Sequence, residues 1–94
     1  MERFSIYHDM KTCFFCGRPR ECIHEVYYGT ANRKVSIQNG FCVGLCNEHH
    51  NMSNYSVHHN REMDLKLKKE VEKAYIEQGH SINDFLQLVG KNYL

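Results

Sequence analysis

Cys13 and Cys16, followed about thirty positions later by Cys46 and His49, have the residue types and spacing of a tetrahedral zinc site. Three thiolates and one imidazole would complete such a sphere. His50 comes directly after His49 and leaves the backbone from the next position, so it does not easily join the same ion. A histidine beside a structural zinc, with His24 upstream on an expected strand, points to a second, catalytic divalent ion.

The Cys-x-x-Cys pair also admits a redox reading. That chemistry wants the first cysteine at a helix N-terminus, where the dipole lowers its pKa. Here Gly17 and Pro19 follow the pair, which favours zinc. Cys22 and Cys42 fall in strand patterns and read as small apolar fillers.

These residues must be held by a loop-rich front half and a helical back half. Residues 3–7 alternate and suggest a short edge strand. Cys13–Gly17 reads as a tight knuckle, with Gly17 free to take positive φ. Residues 22–28 and 41–45 read as two strands of a β-hairpin with a long basic connection. Downstream, Met63, Leu67, Val71, Ala74 and Tyr75 recur as the stripe of an amphipathic helix, with a stop at Gly79. Ser81 and Asp84 read as a capping box. Ile82, Phe85, Leu86 and Val89 then form a second apolar stripe, closed by Gly90.

The chain has 94 residues, the size of one domain, and a core this small commonly needs a metal or disulfide staple. Structural zinc in peptides contributes roughly 10–16 kcal/mol, comparable to a whole domain's stability. Five cysteines cannot all pair within the chain, and no signal-peptide or membrane-spanning run is present. These features predict a cytoplasmic protein with no membrane partner. A net charge of +1 does not announce a nucleic-acid binder, so phosphate affinity must come from local clusters. Arg18-Pro19-Arg20 and Arg33-Lys34 are two, each with a plain alternative as a solvated loop.

Cys13-x-x-Cys16, His24-Glu25-Val26 and Leu45-Cys46-Asn47-Glu48-His49-His50 together resemble the HNH nucleases of the ββα-metal superfamily, and most closely the small phage-encoded members. The resemblance spans Cys13 through Arg61, with a Gly-Lys-Asn-Tyr-Leu tail like that of the family. It implies an α+β fold: one domain over residues 1–94, with a zinc-stapled ββα-metal core at 13–59 and two C-terminal helices within 60–94. The implied activity is hydrolysis of DNA phosphodiester bonds, with structural Zn²⁺ on Cys13, Cys16, Cys46 and His49 and a catalytic Mg²⁺, Mn²⁺ or Ni²⁺.

Carried onto this chain, His50 falls on the helix ligand position, and His24 and Glu25 fall on the strand pair. The usual pair is Asp-His or His-His, with the second residue as base. Overlay therefore makes His24 the ligand and Glu25 the base; the alternative makes His24 the base, with Glu25 turned away or assisting the metal. Strand neighbours point to opposite faces, so a regular strand cannot bring both to one ion. The family asparagine position holds Phe41, with Asn39 two residues off. His58 could complete the metal sphere, contact phosphate or simply pack in its loop. His8, His59 and His80 read as surface residues. Arg33 and Lys34 are candidate DNA-phosphate contacts.

Three function classes follow. The first is a metal-dependent DNA endonuclease, encoded by a phage and acting in the host cytosol. The second is a non-catalytic, zinc-stabilised nucleic-acid-binding module. The third is a phage regulator or inhibitor reusing the fold against a phage or host protein partner. Three convergent imidazoles, His24, His50 and His58, favour the first. No helix rich in Arg, Asn or Gln suggests base readout.

Overall fold

A computed structural model describes residues 2–94, an α+β chain built on a two-stranded antiparallel sheet. Strand β1 is Cys22–Glu25 and strand β2 is Cys42–Leu45, paired His24 to Val43 and Glu25 to Cys42. Every residue of β2 is buried, so this strand forms the floor of the core. The expected strand over 22–28 stops at Glu25. Val26 and Tyr27 continue into the core: Val26 N still donates to Phe41 O (2.9 Å), whereas the Tyr27 backbone is held by Ser36, whose Oγ accepts from Tyr27 N (3.1 Å) and donates to Tyr27 O (2.6 Å).

The connection between the strands is not an open basic loop. It contains a helix, α1, over Asn32–Asn39. Its sequence, NRKVSIQN, lacks a strong apolar stripe, and it is anchored instead by buried Ser36 and by Val35 against the core. Gly40 ends α1 at φ +75° and packs beneath Phe4 and Ile6. The expected edge strand over 3–7 reduces to a single bridge, Ser5 to Phe41. The Ser5 hydroxyl accepts from the backbone N–H of Tyr7 and of His8, turning the chain away from the ladder.

The back half follows the expected pattern closely. Helix α2 spans Arg61–Glu77, capped by Asn60, whose side chain accepts from Met63 N at 3.2 Å. Leu67 and Val71 are fully buried on its inner face. Helix α3, Ile82–Val89, starts with the Ser81–Asp84 capping box and ends at Gly90 in the left-handed region. Only half of its apolar stripe is covered: Phe85 and Val89 are buried, whereas Ile82 and Leu86 are exposed.

An aromatic cluster of Tyr27, Phe41, Tyr75, Phe85 and Tyr93 joins sheet to helices, with ring centroids 5.2–6.1 Å apart. The C-terminal tail is tied in by Glu72, whose carboxylate accepts from Tyr93 N at 2.8 Å. Among the described residues, no helix is long and apolar enough to cross a membrane.

Candidate functional site

Two clusters of ligand-type side chains meet at one short segment. After β2, Cys46 and Asn47 lead into a single π-helical turn, Glu48–Met52. Successive residues on a helical turn point in different directions, and here that divergence separates His49 from His50. His49 turns toward the cysteines and His50 toward β1. The return loop is laced to the same turn by Val57 N to His49 O (2.8 Å) and His58 N to His50 O (3.3 Å). That lacing carries His58 back beside His50. Wide π turns recur at functional sites.

The first cluster is Cys13, Cys16, Cys46 and His49, whose ligand atoms all lie within 4.8 Å of one another. Cys16 Sγ lies 3.7 Å from Cys46 Sγ, while His49 Nδ1 lies 3.2 Å from Cys46 Sγ and 3.7 Å from Cys13 Sγ. Tetrahedral zinc with bonds of about 2.3 Å to sulfur and 2.0–2.1 Å to nitrogen needs ligand separations of about 3.5–3.8 Å. The residues fit that ion.

The knuckle itself is closed by Cys13 N to Arg18 O and Gly17 N to Cys13 O, with Gly17 at φ +76° as its sequence suggests. Burial pushes the Cys13 thiol up, but the backbone N–H groups of Cys46, Cys16 and Phe15 outweigh it and bring the thiol below its ordinary value. Cys46 moves the other way, raised by burial and then by the neighbouring Cys16 and Cys13 sulfurs. Four ligand atoms gathered this closely could share one cation. Phe15 stacks on His49 (centroids 5.2 Å apart), and Tyr55 packs edge-on to the same ring.

The second cluster is His24, His50 and His58, again with ligand atoms within 4.8 Å. His50 Nε2 and His58 Nε2 are 3.1 Å apart, close to the separation of neighbouring ligands on one small divalent ion. His24 is 3% exposed, its ring centroid lies 5.3 Å from that of His50 and 5.2 Å from that of His58, and its buried Nε2 has no hydrogen-bond partner. An unpartnered buried ring nitrogen is costly unless something else occupies its lone pair. Burial, then the charges of His50, His58 and Lys68, push His24 down to about 3. Burial, then His58, also lowers His50. Neutral imidazole is the form that binds metal.

These rings open onto a cavity of about 240 Å³, lined by Ile23, His24, Glu25, Tyr28, Arg33, His50 and His58. Glu25 also lines it, and its Oε1 accepts from Arg33 Nε (2.9 Å) and Arg3 Nη2 (3.4 Å). Burial alone would raise the Glu25 carboxyl, but the hydrogen bonds from Arg33 and Arg3, together with their charge, hold it below its ordinary range. Lys34, one residue along α1, is exposed and faces a neighbouring cavity.

Other expected residues are placed differently. Asn39 donates to Val35 O within α1 and does not line the histidine cavity. His8 is not a simple surface residue: its Nε2 accepts from Gly44 N at 3.2 Å, pinning the N-terminal loop to β2. His59 and His80 are exposed. Cys42 is buried and Cys22 half-buried, and both stand apart from the ligand clusters.

Two contributors carry no signal in the sequence. Tyr28 packs beside His24 and His58, its hydroxyl donating to Asp64 Oδ2 (3.2 Å), with Lys68 Nζ 4.3 Å from its ring centroid. Arg3 arrives from the far end of the chain to meet Glu25. Neither position belongs to a short motif. In comparisons with known proteins, the chain matches no family model, no curated protein and no solved structure.

Proposed function

We propose that this chain is a divalent-metal-dependent endonuclease of the HNH type that hydrolyses DNA phosphodiester bonds. The observation that carries the reading is the convergence of His24, His50 and His58 on one cavity, with His24 Nε2 buried and unpartnered. A binding module has no physical need to bury an imidazole that makes no hydrogen bond.

Cys13, Cys16, Cys46 and His49 hold a structural zinc, which fixes the π turn and so the direction of His50. His24, His50 and His58 hold the second ion. That ion supplies Lewis-acid stabilisation of charge developing on the phosphate and the leaving oxygen. Its donor set is three imidazoles without a carboxylate, which suits Ni²⁺ or Zn²⁺ best and takes Mn²⁺ more readily than the harder Mg²⁺, both of which favour oxygen. Arg33 lines the same cavity, and its guanidinium can take a non-bridging phosphate oxygen.

His24 is the ligand of the strand pair in this reading. A base must reach solvent-derived water and keep a pKa near the working pH, and His24 is buried and held at about 3.

Incubation of the zinc-loaded protein with supercoiled plasmid tests the proposal. Nicked or linear product should form with Mn²⁺ or Ni²⁺ and more slowly with Mg²⁺. Intact plasmid with every ion, from folded protein of full zinc content, would overturn it.

A further inference from the structure

Beside the histidine cavity lies another, of about 340 Å³, lined by Arg3, Thr30, Arg33, Lys34, Ile37 and Gln38. Its lining carries three cations, a hydroxyl and an amide, and no carboxylate. Arg33 is shared between the two cavities, so whatever fills one touches the wall of the other.

The carboxylate of Glu25 pairs with two residues of this wall. Its side chain is only 14% exposed, against 33% for Arg3 and 64% for Arg33. Both guanidiniums meet the same oxygen, Oε1, so one half-buried acid gathers two arginines from segments 30 residues apart in the chain. Without it, the two like charges would repel. With it, each guanidinium gives one contact to Glu25 and keeps most of its five N–H donors free. Free cationic donors around a cavity lined by no carboxylate suit a phosphate.

We infer that this cavity is a second phosphate subsite for the DNA backbone, adjoining the histidine cavity, and that Glu25 is a positioning residue for Arg3 and Arg33 rather than the base. The inference rests on the nuclease reading for the identity of the bound backbone. It adds Arg3, Thr30 and Gln38 to the contact surface, and it gives Glu25 a role that accounts for its pairing. A phosphate flanking the scissile one sits on Arg3, Arg33 and Lys34, with Thr30 and Gln38 able to donate from the sides.

Two readouts test it. The first is binding of a fluorescein-labelled DNA duplex to the zinc-loaded protein without added catalytic ion, followed by anisotropy over a range of salt. Arg3→Ala, Arg33→Ala and Lys34→Ala should each weaken binding irrespective of sequence and flatten the salt dependence of log K by roughly one unit of slope. Unchanged affinity and slope in all three would remove the subsite. This result is independent of cleavage: lost slope in a protein that never cuts would keep the subsite and sink the nuclease, and normal slopes in a protein that cuts would do the reverse.

The second readout is a double-mutant cycle on kcat/KM. Glu25→Gln retains an acceptor for the arginines and should lose less than about tenfold, whereas Glu25→Ala should lose more, chiefly through KM. Glu25→Ala should cost almost nothing further in an Arg3→Ala/Arg33→Ala background, because it acts through those residues. If Glu25→Gln is as inactive as Glu25→Ala, with kcat rather than KM falling and the loss undiminished in the arginine-deleted background, Glu25 is the base and the positioning role fails.

Discussion

His49 and His50 are neighbours in sequence with opposite assignments, and their separation is the sharpest test available at the scale of single residues. His49 Nδ1 faces Cys46 and Cys13, while His50 Nε2 faces His58. His49→Ala should therefore lose zinc and cooperative folding, and His50→Ala should keep both zinc and the far-ultraviolet circular dichroism spectrum. Metal analysis of the two purified variants reads this directly; retention of zinc by His49→Ala alone would reverse the pair.

His24 adds a pH prediction. It is held at about 3 in the folded chain against an ordinary value of 6.5. Between those values the unfolded chain binds a proton that the folded chain does not, so this residue's contribution to stability falls as pH drops from 6.5 toward 3, by up to about 1.4 kcal/mol per unit. His24→Leu lacks that dependence. Without added divalent ion, its melting temperature should gain on that of the native protein as pH falls from 7 to 5. A difference that stays constant across this range would show that His24 is not buried neutral. The spacing of Cys13, Cys16, Cys46, His49 and His50 was legible in the sequence because ligand identity and spacing constrain each other. The arginine partners of Glu25 were not, since an ion pair between residues 3, 25 and 33 leaves no periodic trace.

The elements divide in the same way. Helices α2 and α3 are long or well capped enough for period and caps to announce them, as with Asn60, Ser81 and Gly90. Helix α1 is short and polar and owes its existence to tertiary anchors: Ser36 on the Tyr27 backbone, Val35 on the core, and Gly40 at its end. No local pattern encodes such anchors. The edge strand failed for a local reason that is visible only afterwards, the Ser5 hydroxyl competing for two N–H groups.

Gly40 offers the clearest test at this scale. A side chain there needs positive φ, and its Cβ would lie 2.5 Å from Phe4 Cε2 and 2.9 Å from Ile6 Cγ2. Gly40→Ala should destabilise the protein by about 1–3 kcal/mol, read by denaturant or thermal unfolding. A loss under a few tenths would mean that Phe4 and Ile6 move aside freely and that α1 does not depend on this close approach.

Across the whole molecule, Cys13, Cys16, Cys46 and His49 bring the N-terminal knuckle and the π turn together, so a metal held there would staple the front half. Helices α2 and α3 share the aromatic cluster with Phe41 and Tyr27, which gives the chain one core. Removal of zinc by a strong chelator should release the knuckle and with it His50 and His58, lowering the melting temperature; Cys46→Ser should do the same without chelator. If Cys46→Ser melts with the native protein, the knuckle does not staple the fold.

The central claim is that His24, His50 and His58 form a single metal-dependent centre that cuts DNA. It is tested most directly by measuring the plasmid cleavage rate against Mn²⁺ concentration for the native protein, His50→Ala and His58→Ala, all matched for zinc content. The native rate should saturate. Each variant should fall by about two orders of magnitude or more at the native saturating concentration, as removal of a main catalytic group does, with any residual activity requiring far more Mn²⁺. Native-like rates and half-saturation in both variants would place the cutting centre elsewhere and contradict the account.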